Sequence, residues 1–169
     1  MGMGTETLVS VDEYLSTSYD PDREYVDGVL LERNVGEYDH SRLQFMLAMA
    51  LYRLEKTLGI NVIIEQRVQV RPTRFRVPDI CVLRARPEGG IVTAPPFLCI
   101  EILSPEDRMS QMQQRVDDYL AMGVEYVWVV EPGTFRAYIY TSKGIELVKD
   151  GIVRTANPDI VINLPEVLQ

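Results

Sequence analysis

Two apolar stretches each carry one acidic residue. FRVPDICVLR holds Asp79, and PPFLCIEILSP holds Glu101 in the middle of a run otherwise suited to a core. A carboxylate placed there costs several kcal/mol unless it is paired or binds a metal. Both stretches read as strands, in which side chains alternate faces. Val77, Asp79, Cys81 and Leu83 then share one face of the first, and Phe97, Cys99, Glu101 and Leu103 one face of the second. If the strands pair antiparallel through the 84–96 connection, Asp79 sits opposite Glu101 and Cys81 opposite Cys99. Two carboxylates that close repel each other. A hard divalent cation held by oxygen ligands removes that penalty. The plainer reading keeps each carboxylate solvated at a strand end, or salt-bridged to Arg76, Arg84 or Arg115. Under that reading, removing either carboxylate destabilises the fold instead of relieving repulsion.

A basic group is placed to join them. In the helix expected over 107–122, Met112, Val116, Tyr119 and Leu120 form the apolar stripe, and Arg115 lies on its edge. Its guanidinium is expected to point at the two carboxylates or to snorkel along the edge. Ser104 is the expected N-cap, with Pro105 next.

The elements that must position these groups follow from periodicity and turn residues. VDEYLST (11–17) is a short helical turn. EYVDGVLLERN is a hairpin around Asp27-Gly28. Residues 40–58 form the longest helix, with Leu43, Leu47, Leu51, Leu54 and Leu58 on one stripe and Gly59 as its stop. INVIIEQRVQVRP, FRVPDICVLR and FLCIEIL read as three strands, with RPEGGIVTAPP as a loop. After the second helix, EYVWVVEP, FRAYIYTSKG and GIELVKDG are three more, and DIVINLPEVL is a docking tail. The order implies an α/β (α+β) fold with a mixed β-sheet core flanked by helices, as one domain over 1–169.

The stretches VPDICVL, PPFLCIEILSP and YLAMGVEYVWVVEP together resemble the Uma-two restriction endonuclease family (domain of unknown function 820), in the PD-(D/E)XK nuclease superfamily. VDEYL, REYVDGVLLE and His40 also match the family pattern, so the resemblance covers nearly the whole chain. It implies a restriction-endonuclease-like core and a metal-dependent endonuclease that hydrolyses phosphodiester bonds of nucleic acid, DNA foremost. It implies that Asp79, Glu101 and the main-chain carbonyl of Ile102 bind Mg²⁺ (or Mn²⁺), with Glu24 completing the site. A homodimer is also expected, through the strand-rich sheet edge of 125–149 with Tyr126, Trp128, Phe135, Tyr138 and Tyr140. The superfamily lysine two residues after the glutamate is Leu103 here. The variant position on the following helix is Arg115, and an aspartate usual four residues earlier is Gln111. Arginine holds a phosphate well but does not readily transfer protons. The alternative is therefore a catalytically degenerate nuclease fold that serves as a binding or dimerisation module.

Composition limits the rest. The chain has 169 residues, 46% of them hydrophobic, enough for a real core. No run approaches a membrane span. The opening MGMGTETLVS has no leader-like pattern, so a cytoplasmic location is expected. Net charge is −8 with only three lysines, so nucleic-acid contact must come from a local patch or through a metal. The single histidine, His40, excludes a His-cluster zinc site and reads as a surface or capping group, or else a catalytic one. Cys81 and Cys99 read as small core residues, and Tyr119 as packing.

Overall fold

The computed structural model describes residues 7–34 and 36–169; the reading of residues 1–6 lies outside them. α1 (Val11–Ser16) begins at Ser10, whose Oγ accepts from the Glu13 amide at 3.1 Å. β1 (Glu24–Val26) and β2 (Val29–Leu31) form the expected hairpin. Asp27 and Gly28 both take positive φ, 50° and 97°, as a tight two-residue turn requires.

The six-stranded sheet has the order β10-β9-β8-β7-β6-β3. Its strands are β3 (Asn61–Ile64), β6 (Ile80–Leu83), β7 (Leu98–Ile102), β8 (Tyr126–Val130), β9 (Ala137–Thr141) and β10 (Gly144–Val148). β7 and β8 are parallel and joined over α4 (Met109–Met122); all other neighbours are antiparallel. Leu43, Leu47 and Leu51 of α2 (Tyr38–Tyr52) pack on Ile80, Val82, Leu98, Ile100 and Ile102 on one face. Met112, Val116 and Tyr119 of α4 pack on Cys81, Cys99, Val127 and Val129 on the other. The result is three layers with β6 and β7 buried on both faces, as the mixed α+β reading anticipates. A second sheet, β2-β1-β5-β4, adds β4 (Val68–Arg71) and β5 (Arg74–Arg76). The tail forms β11 (Ile152–Arg154), β12 (Val161–Asn163) and α5 (Leu164–Val167). It docks through Val153, Ile160, Ile162 and Leu164 on the α2 side.

Several expectations are corrected. The 40–58 helix starts earlier and breaks: Leu54 N bonds back to Leu51 O, and α3 (Glu55–Leu58) then runs to the left-handed Gly59. INVIIEQRVQVRP is two strands in two sheets, split where Glu65 takes φ 49°. FRVPDICVLR is also two, because Pro78 has no amide to give a ladder. Ser104 does not cap α4. Its amide donates to Asp107 Oδ2 at 2.6 Å in a separate turn, and Arg108 holds the cap position. Phe97 lies just outside β7 and packs with Leu98 on the α2 side, not beside Glu101. The outer strand, β10, does lie within 125–149, but it carries none of the five aromatics; Trp128 lies on interior β8 and is fully buried, and Tyr140 nearly so.

Candidate active site

Cys81 faces Cys99 and Ile80 faces Ile100 across β6 and β7. One further step along this register brings Asp79 beside Glu101. The step is fastened by the Ile102 amide, which donates to Asp79 Oδ2 at 2.7 Å. Asp79 and Glu101 are each only 4% exposed. With Ile102 and Arg115 they line a cavity of about 350 Å³, whose wall also includes Arg33, His40, Gln44, Glu65 and Asp107. The cavity opens where β6 and α2 begin and β7 ends, so sheet and helix together fix its floor and side.

The two acids differ in their partners. Asp79 Oδ1 accepts from Arg33 Nη2 at 3.2 Å, and Oδ2 also lies 3.3 Å from His40 Nε2. Burial lowers the His40 pKa, but the hydrogen bond and charge of Asp79 outweigh it, and the net direction is upward. Gln44 Nε2 donates to the Asp79 carbonyl at 3.0 Å, tying α2 to the strand end. Glu101 instead accepts a 2.6 Å hydrogen bond from the buried Tyr119 hydroxyl at Oε1. No ion pair reaches it among the described residues. Burial pushes its pKa from 4.5 up to about 8; Arg115 pulls it down, while Asp79 and Glu24 push it up. The net direction favours the protonated carboxyl.

Arg115 is fixed from behind. Its Nε donates to Glu24 Oε2 at 3.2 Å, and Nη1 lies 3.7 Å from Asp107 Oδ1. Glu24 is 1% exposed and absent from the cavity wall. Its Oε2 also accepts from Arg76 Nη1 at 2.8 Å, and Oε1 from the Val77 amide at 3.3 Å. Arg76 in turn holds Asp118, one turn beyond Arg115 on α4, at 2.8 Å. Burial would lower the Arg115 pKa, but Glu101 and Glu24 raise it on balance, and it stays charged.

A match over residues 11–167 places the sequence in the family model Uma2, described as "Putative restriction endonuclease". The chain belongs to the Uma2 family. No curated protein matches the sequence. A solved structure from Anabaena variabilis, described as "a putative nuclease belonging to DUF820", is similar with a TM-score of 0.81. The two are 20% identical, and the match covers 95% of this chain and 97% of that chain. That likeness bears on the fold.

In this Uma2 chain the donor set suits a hard cation in kind. Two carboxylates and a main-chain carbonyl are oxygen ligands, and the raised Glu101 pKa records a charge the pocket does not otherwise compensate. Yet no group of three His, Cys, Asp or Glu side chains is gathered for a metal among the described residues. Glu24, the expected third acid, is committed to two arginines. The salt bridges weighed from sequence also differ. Arg84 pairs with Glu125, and Arg76 with Glu24 and Asp118, so neither reaches Asp79 or Glu101. Sequence reasoning missed Arg33 as the Asp79 partner and Tyr119 as the Glu101 partner. It left His40 open between a surface or capping group and a catalytic one, and the structure puts it on Asp79. A tyrosine on an inward helix stripe, directly after Asp117-Asp118, gives no sign that its hydroxyl has a carboxyl to meet. His40 at the helix entrance beside a suspected acid site was the one readable signal.

Proposed function

We propose that this Uma2 protein is a divalent-metal-dependent endonuclease acting on phosphodiester bonds of nucleic acid, DNA foremost. The observation that carries the reading is Glu101: buried, without an ionic partner among the described residues, and in register with Asp79. A cation held between two buried acids compensates the repulsion and the burial cost of both charges. Asp79, Glu101 and the Ile102 carbonyl would hold Mg²⁺ or Mn²⁺. When bound, such an ion polarises a phosphate oxygen and lowers the pKa of a coordinated water. Arg33 and Arg115 supply the cationic walls that orient a phosphate, and Tyr119 keeps the Glu101 carboxyl aimed into the cavity. We further propose a homodimer located in the cytoplasm.

One observation favours a second reading, a degenerate binding module. Arg115 is engaged by Glu24 and Asp107 and cannot move a proton. Plasmid nicking with Mn²⁺ separates the two. The nuclease reading expects cleavage that Asp79→Asn and Glu101→Gln abolish and Arg115→Lys accelerates. Metal binding with wild type and Arg115→Lys both inert on DNA and RNA would establish the module instead.

A further inference from the structure

The ion pairs behind the cavity close into a ring through Arg76. This residue is 2% exposed and does not line the cavity. On one side its Nη1 donates to Glu24 Oε2 at 2.8 Å, and the same oxygen accepts from Arg115 Nε at 3.2 Å. On the other side its Nε and Nη2 both reach Asp118 Oδ2 at 2.8 Å. Arg74 Nη1 holds the second Asp118 oxygen at 2.9 Å. Asp118 follows Arg115 by three residues on α4, so the two lie on one side of the helix. The path from Arg115 through Glu24, Arg76 and Asp118 thus returns to the helix it left. Such a ring constrains both the rotation of α4 and the direction of the Arg115 guanidinium.

Stability alone does not account for it. A buried ion network is a poor source of folding energy, since apolar residues of similar volume serve a core as well or better. The ring also leaves Arg115 with donors to spare. Nε is held by Glu24 and Nη1 lies 3.7 Å from Asp107 Oδ1, whereas Nη2 has no partner among the described residues. Arg115 lines the cavity, so its uncommitted donors are those a phosphate can take. Val77 follows Arg76 directly and gives its amide to Glu24 Oε1 at 3.3 Å, and Asp79 comes two residues later. One short segment therefore carries the acid of the cavity floor and the hub behind the cation of its wall.

We propose that Arg76 is a positioning residue for Arg115: it sets Glu24, and through Glu24 the guanidinium, at a fixed offset from Asp79 and Glu101. The proposal rests on the nuclease reading, in which Arg115 orients a phosphate. The planar fork of Arg76 reaches Glu24 and Asp118 together, and a lysine head does not reproduce those directions. Arg76→Lys therefore keeps the buried charge and loses the geometry.

Arg76→Lys, Arg115→Ala and their double variant test this on the whole chain. Calorimetry reads Mg²⁺ binding and then inorganic phosphate binding in Mg²⁺, and NMR reads solvent exchange of the Arg115 Nε–H, assigned by its loss in Arg115→Lys. Arg76→Lys should leave Mg²⁺ affinity within about twofold, weaken phosphate by about tenfold or more and speed the Nε–H exchange by a similar factor. In the Arg115→Ala background the same change should cost phosphate binding nothing further, because an effect routed through Arg115 is already lost. Losses that add in the double variant, or an Nε–H that exchanges as in wild type, overturn the positioning role and leave the nuclease reading standing. A wild type that binds no Mg²⁺, or no phosphate with Mg²⁺ bound, overturns the reading and the inference with it. Asp118→Asn loosens the same grip from the other side if Arg76→Lys does not fold. It should speed the Nε–H exchange too, and an unchanged signal there counts against the ring.

Discussion

Replacing Glu101 by glutamine in the metal-free protein should stabilise it, and by an amount set by pH. The amide keeps the shape of the protonated acid and can still accept from Tyr119. Glu101 has a folded pKa of about 8 against an ordinary value of 4.5. The folded state therefore keeps a proton that the unfolded chain releases, so wild-type stability is full below 4.5 and is lost as pH rises to about 8. At about 1.4 kcal/mol per pH unit, Glu101→Gln should gain less than about 1 kcal/mol at pH 5, about 3 at pH 7 and about 5 at pH 9. Urea unfolding at those three pH values, with EDTA present, reads these differences directly. A variant less stable than wild type at every pH, or a gain that does not grow with pH, would refute the reasoning. It would mean that the fold itself compensates the Glu101 charge.

Arg115→Ala leaves Glu24 and Asp107 short of a partner and removes the charge that pulls the Glu101 pKa down, so denaturant titration should show a loss of about 3–5 kcal/mol. His40→Gln should cost more stability at pH 5.5 than at pH 8.5. The Asp79 contact raises the imidazole pKa, so its contribution is present in acid and lost as pH rises through the folded pKa. Tyr119→Phe removes a hydrogen bond that lowers the Glu101 pKa, so infrared or NMR titration should find that pKa higher still, with a stability cost of about 1–3 kcal/mol.

The Asp79–Glu101 pairing was legible because alternation and antiparallel register are rigid rules. Once two strands pair with Cys81 opposite Cys99, the acids two residues further on must meet. The hairpin at Asp27-Gly28 and the stop at Gly59 were legible for a similar reason: each needs a backbone conformation that few residues adopt. What could not be read is set by contacts between distant segments. Arg33 reaches Asp79 across 46 residues, and Glu24 meets Arg76 across 52. No local pattern decides which of several arginines wins a given carboxylate. The strand breaks were marked by the polar run Glu65-Gln66-Arg67 and by Pro78, but neither mark says whether the chain resumes in the same sheet or turns into a second. The aromatic edge failed because residue type shows a strand's composition but not its rank within the sheet.

Calorimetric titration of Mn²⁺ into the protein in buffers of different ionisation enthalpy tests the central claim most directly. If Asp79 and Glu101 hold the ion, binding at pH 7 must displace the Glu101 proton. About one proton or more should be released per ion, falling towards zero at pH 9, and both binding and release should vanish in Asp79→Asn/Glu101→Gln. Absence of binding at millimolar Mn²⁺, or binding that survives the double substitution, would contradict it.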